Sequence, residues 1–231
     1  MKSFYFIFFS LIATSILSQP WKEHGPLKVS KENLHYLSYS DGTPFFWLAD
    51  TGWEMLHRLS RSEIETYLEN RKTKGFNVIQ TVIISEFIHI DKVTNFYGDS
   101  IFVNENPENP KMSAGRNPEI QNEYDFWDHV DFALQTAAEK DLYMALLPTW
   151  GEWVTPRTDK ALFNNIQQAY NYGWFLGNRY QKNENIIWIL GGDRQPDERN
   201  NGIELWRAMA EGIADGKNNN KKHDGQADYS T

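Results

Sequence analysis

Apolar residues in this chain come in two patterns that alternate. Four continuous runs, at 44–50, 77–84, 143–150 and 186–193, have strand length and no period-2 alternation, the mark of parallel strands covered on both faces. Between them, apolar residues recur at helical spacing. Ser60 and Ser62 each have a glutamate three residues on, Glu63 and Glu65, the spacing of a capping box, so a helix is expected from about residue 62. Its inner face is Ile64, Tyr67, Leu68 and Arg71, and Gly75 stops it. A second helix carries Phe126, Val130, Ala133 or Leu134, and Ala137. A third, 165–180, carries Ile166, Ala169, Tyr170, Gly173 and Gly177 on one stripe, whose glycines would let it sit close to the sheet. The fourth starts near Gly202, carries Leu205, Trp206, Met209, Ala210 and Ile213, and ends at Gly216.

The remaining stretches break these patterns. Residues 27–42 alternate loosely and end on Asp41-Gly42, a hairpin turn signal. Residues 87–123 are rich in Asn, Pro and Gly without periodicity, and so long an irregular insertion is usually functional or mobile. Residues 217–231 have neither period nor core residues and read as a loop whose continuation lies beyond the chain.

Strand–helix units in succession imply a parallel sheet with right-handed crossovers. A nucleotide-binding sheet would show Gly-x-Gly-x-x-Gly after its first strand. Here that turn reads Asp50-Thr51-Gly52-Trp53-Glu54, which is no phosphate cradle. A TIM barrel needs eight units, and its chemistry comes from the C-terminal ends of several strands. The four runs end in or lead directly to Asp50, Glu86, Trp150 and Asp193. The expected fold is therefore α/β, the N-terminal half of a (β/α)8 TIM barrel over 44–216, with a leading hairpin segment at 19–43 and a terminal loop at 217–231.

Composition narrows the partners. The chain has 23 Lys and Arg against 31 Asp and Glu, a net charge of −8, and no basic block, which argues against nucleic acid. Aromatics make up 15% of residues, with 9 Trp, and their flat faces suit sugar rings as well as packing. Lys2, the apolar run 4–17 and the small Ser18 have the layout of a secretory signal peptide cut after residue 18. The apolar run is short of the ~20 residues that span a bilayer. The expected location is thus exported, periplasmic or extracellular, with no stable membrane association after cleavage. No Cys is present, so stability must come from packing.

For chemistry, the outstanding residue is Asp193, which follows an apolar strand and two glycines that leave room for a substrate or a neighbouring backbone. An Asp after a strand is often only the N-cap of the next helix. That helix starts too far downstream for Asp193 to cap it. Asp125, Asp128 and Asp131 resemble a metal cluster but read as macrodipole partners on a solvated face. His57, His89 and His129 have no metal-ligand spacing, and Ser85 lacks a Gly-x-Ser-x-Gly elbow. No metal or cofactor is called for.

The segments 41–53, 74–80, 147–151 and 185–196 together resemble the apiosidase-like family of bacterial glycoside hydrolases, departing only at Ala49 and Gly52, where that pattern has Gly and Ala. The resemblance covers roughly 28–216. It implies a (β/α)8 catalytic barrel, a retaining pair of carboxylates and action on apiose-bearing pectic side chains of the plant cell wall. It makes Asp193 the general acid/base and puts the nucleophile, a Glu, on a later strand beyond this chain. A retaining pair stands roughly 5 Å apart. Asp50 and Glu86 are then expected to bind sugar hydroxyls, with capping or ion pairing as the plainer role. Trp53, Trp150 and Trp153 are expected to stack on sugar rings, with core packing as theirs, and Arg194 joins the substrate-binding set. The alternative function is a non-catalytic carbohydrate-binding or inactive remnant of such a hydrolase. Residues 1–231 alone are expected to be inactive.

Overall fold

The computed structural model describes residues 19–86, 93–157, 161–197 and 201–227. The signal-peptide reading of 1–18 and the position of His89 lie outside these residues.

Two sheets form the frame. A short helix α1 (Pro20–His24) leads into an antiparallel sheet of β1 (Leu27–Val29), β2 (Leu37–Tyr39) and β3 (Pro44–Phe45). The Asp41-Gly42 signal is realised between β2 and β3, where Gly42 takes φ +95°, a conformation that costs glycine nothing. The second sheet is parallel, in the order β4 (Ala49–Thr51), β5 (Val78–Val82), β6 (Tyr143–Leu147) and β7 (Ile186–Trp188). The helices α2 (Met55–Arg58), α3 (Arg61–Thr73), α4 (Phe126–Glu139), α5 (Ile166–Arg179) and α6 (Gly202–Lys217) connect or follow these strands.

The run at 44–50 is not one strand. Its first two residues belong to the hairpin and its last two open β4, while Phe46, Trp47 and Leu48 between them are exposed. Pro44 explains the division: it has no amide proton for a central ladder, and it sits in β3, an outer strand of the small sheet. The run at 186–193 is also shorter as a strand than expected. Ile186, Ile187 and Trp188 are only half-buried, because β7 pairs with β6 alone and no strand covers its other edge among the described residues.

The pleat sorts the core into two layers. Val78, Tyr143 and Ala145 pack with Trp21, Tyr39 and Phe45 of the leading segment, the Trp21 and Phe45 rings meeting Tyr143 edge-on at 5.0 and 5.5 Å. Ile79, Met144 and Leu146, on the alternate positions, face the helices with Ile64, Leu68, Val130 and Leu134. The predicted inner faces of α4 and α6 are buried as their spacing implies, while on α3 Ile64 and Leu68 are buried and Tyr67 and Arg71 half-buried.

One helical prediction needs correction. Gly173 and Gly177 do not bring α5 close to the sheet; they bring it against α6. A Cβ on Gly173 would lie 2.2 Å from the Met209 carbonyl oxygen, and one on Gly177 2.0 Å from that of Ile213. Gly212 and Gly216 return the contact, 2.2 and 2.3 Å from the carbonyls of Tyr170 and Trp174. The two backbones touch, which only small residues permit. The terminal loop contributes no buried residue from 217 to 226, and its contacts tie it to α5 and α6. The Lys221 ammonium sits 4.1 Å over the Trp174 ring, His223 stacks on Tyr170 at 3.9 Å, and the amides of Lys222, His223 and Gly225 donate to the buried Asp215 and Glu211.

Candidate active site

The C-terminal ends of the parallel strands converge on one polar mouth, built from segments far apart in sequence. After β4 the chain turns through Gly52 and Trp53 into α2. The Trp53 indole donates to Glu86 Oε2 at 3.3 Å, joining the end of β4 to the end of β5. The Trp53 ring also meets Trp150, just past β6, edge-to-face at 4.8 Å. Both indoles are half-buried, so each keeps surface available to a ligand.

The end of β7 is bound to the same assembly by close packing. A Cβ on Gly192 would fall 2.6 Å from the Gly151 nitrogen and 3.0 Å from the Trp150 indole; one on Gly151 would fall 2.9 Å from Arg194 Cβ. The backbone approach expected at the Gly191-Gly192 pair is thus made to residues 150–151. Arg194 donates through Nε to Glu152 Oε2 at 2.8 Å and through its Nη2 to the same oxygen, so residues 192–194 are held to the segment after β6 from both sides. Burial works to raise the Glu152 carboxyl, but the Arg157 amide and the Arg194 guanidinium outweigh it and hold it below its ordinary value.

Asp193, between these anchors, is exposed. Its charge reaches Glu86. Burial pushes the Glu86 carboxyl up, the charges of Glu54 and Asp193 add to the rise, and its own backbone amide and the Trp53 indole act against it. Glu54 completes the group. It accepts a short hydrogen bond from the Ser85 hydroxyl and lies 3.4 Å from Arg58 Nε. Neither Glu54 nor Glu152 is recognisable from sequence as part of a site. The only signal for them is position, each following a tryptophan or its neighbour just past a strand.

One of the expected residues is placed elsewhere. Asp50 is not at the mouth: its Oδ2 accepts from the Tyr67 hydroxyl and from Arg71 Nη1, both at 2.9 Å, on α3. The pleat is the reason. Asp50 pairs in register with Ile79, on the row that faces the helices, whereas Thr51 and Gln80 occupy the opposite row. Ion pairing, the plainer of its two roles, is the one its contacts describe. Trp153, half-buried like the other two indoles, spends its donor on the Ser85 carbonyl at 3.0 Å, beside Glu86, and packs one side of its ring against the main core.

The acids at the start of α4 are not on a solvated face. Asp125 and Asp128 are 3% and 6% exposed and form a reciprocal capping box, and Asp131 pairs with Arg179 through both oxygens at 3.0 and 2.9 Å. Among the described residues no cluster of acids and histidines has the arrangement of a metal site. His57 and His129 are buried. His57 faces the Thr94 carbonyl, His129 lies between the Tyr124 hydroxyl and the Leu59 carbonyl, and burial lowers both, His129 to about 4. Asp193 does not cap α6, whose N-cap position is Asn201.

Carboxylates and half-buried tryptophans gather at the ends of the parallel strands, and similarity to known proteins supports a glycosidase-like enzyme fold. The model of the apiosidase-like catalytic domain matches residues 31–226, and the chain belongs to that family. Among solved structures it is similar to a glycoside hydrolase at 36% identity and TM-score 0.68, covering 88% of this chain and 41% of that one. A glycoside hydrolase family 5 protein from Bacteroides vulgatus is similar at 34% identity and TM-score 0.68, with 88% and 40% covered. The endo-β-1,4-mannanase of Thermotoga petrophila, at 17% identity, TM-score 0.54 and coverage of 78% and 42%, shares the fold. The chain spans about two fifths of the length of the first two. No curated protein matches. Among the described residues no helix is long and apolar enough to cross a membrane.

Proposed function

We propose that this chain supplies the N-terminal half of a (β/α)8 glycoside hydrolase acting on pectic oligosaccharides, exported through a signal peptide cut after residue 18. Asp193 is the general acid/base, and the nucleophile is a glutamate outside residues 1–231. The observation that carries the reading is the convergence of Trp53, Glu86, Trp150 and the 192–194 segment on one mouth in a chain of this family. The outer edges of β4 and β7, which no strand covers among the described residues, support the half-barrel part, since closure of a barrel needs a partner on each. In this scheme Asp193 protonates the departing glycosidic oxygen and then takes a proton from the attacking water. Glu86 accepts from sugar hydroxyls, and Trp53 and Trp150 present ring faces to the sugar.

Replacing Asp193 with Asn in the full-length hydrolase tests this. General acid help is worth typically 10²–10⁴-fold, and its loss matters most when the leaving group is a poor one. Asp193→Asn should cripple cleavage of natural glycosides, while the first step on an aryl glycoside with an acidic phenol suffers far less. Equal pre-steady-state losses on the two substrates would remove Asp193 from the acid role. A second reading, a carbohydrate-binding remnant without catalysis, is favoured by the exposure of Asp193 at the open edge of the sheet. Sugar binding with no turnover of either substrate would select it.

A further inference from the structure

Residues 97–125, between β5 and α4, form an open cleft that shares no residue with the mouth. Its volume is about 340 Å³, within the roughly 300–1,000 Å³ of small-molecule sites. Three limbs of the insertion form its walls, at 97–99, 111–113 and 118–125.

These walls are fixed before any ligand arrives. Asn95 Oδ1 accepts from the amides of Tyr97 and Asp99 at 2.9 and 3.0 Å, and the Ser113 amide donates to Asp125 Oδ2 at 2.6 Å. The Lys111 and Asn117 amides donate to the carbonyls of Ile101 and Glu123, each at 3.0 Å. Tyr97, 38% exposed, is held by edge contacts to Tyr124 and His129, and its hydroxyl accepts from the Arg61 amide at 3.2 Å. An immobile ring offering an apolar surface loses little entropy on binding.

The polar groups specify what fits. Among the described residues the side chains of Gln121 and Asn122 make no hydrogen bond, and the Lys111 ammonium has only the Ser100 hydroxyl at 3.3 Å and no carboxylate. Asp99 accepts from the Asn95 amide at 2.8 Å and keeps further acceptor capacity. Two carboxylates, Asp99 and Asp125, outnumber the single ammonium, which disfavours phosphate or a uronate. A purely apolar ligand would strand these donors and acceptors without partners, at a cost for each. Hydroxyls in several directions around a C–H face match the cleft. We propose that it is a second carbohydrate site, taking one or two neutral sugar units of a glycan chain. The inference does not depend on the role of Asp193.

Amide chemical-shift mapping on the full-length protein carrying Asp193→Asn, with 1,4-β-galactotetraose and 1,4-β-mannotetraose as probes, tests it. Saturable shifts are expected at residues 97–99, 111–113 and 118–124 with at least one of the two. Gln121→Ala, at an exposed position, should weaken this binding about fivefold, and Tyr97→Ala should abolish it, while Trp53→Ala leaves it unchanged. Shifts confined to the mouth, no shifts at the cleft with either probe, or a stronger cleft response to trigalacturonate would each overturn the proposal. If Tyr97→Ala perturbs the fold, the Gln121→Ala affinity alone decides. Cleft binding that survives while Asp193→Asn proves fully active would separate this proposal from the catalytic one.

Discussion

Two groups of three carboxylates in this molecule are built in opposite ways. Asp125, Asp128 and Asp131 follow each other at the start of α4, and each has dedicated partners. Asp125 takes the amides of Trp127, Asp128 and Ser113, Asp128 takes that of Asp125, and Asp131 takes the Arg179 fork, with the Arg116 guanidinium 3.7 and 3.8 Å from Asp128 and Asp131. Glu54, Glu86 and Asp193 come from three loops. Glu54 has the Ser85 hydroxyl and a solvent-facing Arg58, Glu86 has one indole and its own amide, and Asp193 is exposed without a side-chain partner among the described residues. A carboxylate whose acceptor sites are filled stabilises the fold. One whose sites are open has capacity left for a ligand.

If that contrast is right, mutations should separate stability from activity. The largest effect expected is in the first group. Arg179→Ala leaves Asp131 with only the Arg116 guanidinium at 3.8 Å and weakens the field around the buried Asp128; losing the hydrogen bonds of a half-buried charged pair costs about 2 kcal/mol. Urea unfolding should register that loss, while turnover per folded molecule of the complete hydrolase stays the same. Arg179→Lys should recover only part of it, since an ammonium cannot reproduce the paired Nε and Nη2 contacts. A variant as stable as the parent would mean that the α4 cluster is held by its backbone donors alone.

The second group should behave the other way. Glu86→Gln removes a charged acceptor for a sugar hydroxyl, worth about 1.4 kcal/mol or tenfold in kcat/KM. Stability should change by less than about 0.5 kcal/mol, because the Trp53 indole at 3.3 Å and the Glu86 amide can both still donate to the oxygen that Gln keeps. Full activity with lowered stability would reassign Glu86 to the structural group.

How much of this was legible in sequence depended on whether the cause was local. The capping box of Ser60 and Glu63, the buried faces of α3, α4 and α6 and the Asp41-Gly42 turn are set by residues within one or two turns of each other. The convergence of strand ends was legible because every parallel strand delivers its C-terminus to the same side. What was not legible needed a partner distant in sequence. Asp50 ends a strand as Asp193 does, but which face it occupies is a matter of register with Ile79, and a shift of one residue reverses it. Gly173 and Gly177 announce close approach without naming the neighbour, which is the matching pair Gly212 and Gly216. The α4 acids looked solvated because Arg179, 48 residues after Asp131, and the Ser113 amide cannot be paired with them from spacing.

The smallest effect at neutral pH concerns Asp128, and it sharpens the contrast most. Its carboxyl is pushed up from 3.8 to about 6, by burial first and then by the Asp125 charge; Asp131 adds to the rise, and the Asp125 amide and Arg179 oppose it. The other cation facing it is Arg116, at 3.7 Å. A carboxyl whose folded value lies above its unfolded one takes up its proton first in the folded state. Between about pH 4 and 6 the folded chain therefore holds the extra proton, and this group's contribution to stability grows as the pH falls through that window. His129, lowered to about 4 by burial, works in the opposite sense: its contribution is complete above about 6.5 and is lost on acidification towards 4. In the wild type the two partly offset. Asp128→Asn keeps an oxygen for the Asp125 amide and removes the charge, so at pH 7 the loss of Arg116 and Arg179 attraction and the relief of repulsion should leave stability within about 1 kcal/mol of the parent. Below pH 6.5 the His129 slope is then uncovered, and the variant should lose stability on acidification more steeply than the wild type. Unfolding curves at pH 7, 6, 5 and 4 measure this directly, and parallel pH profiles for the two proteins would show that Asp128 does not titrate in that window.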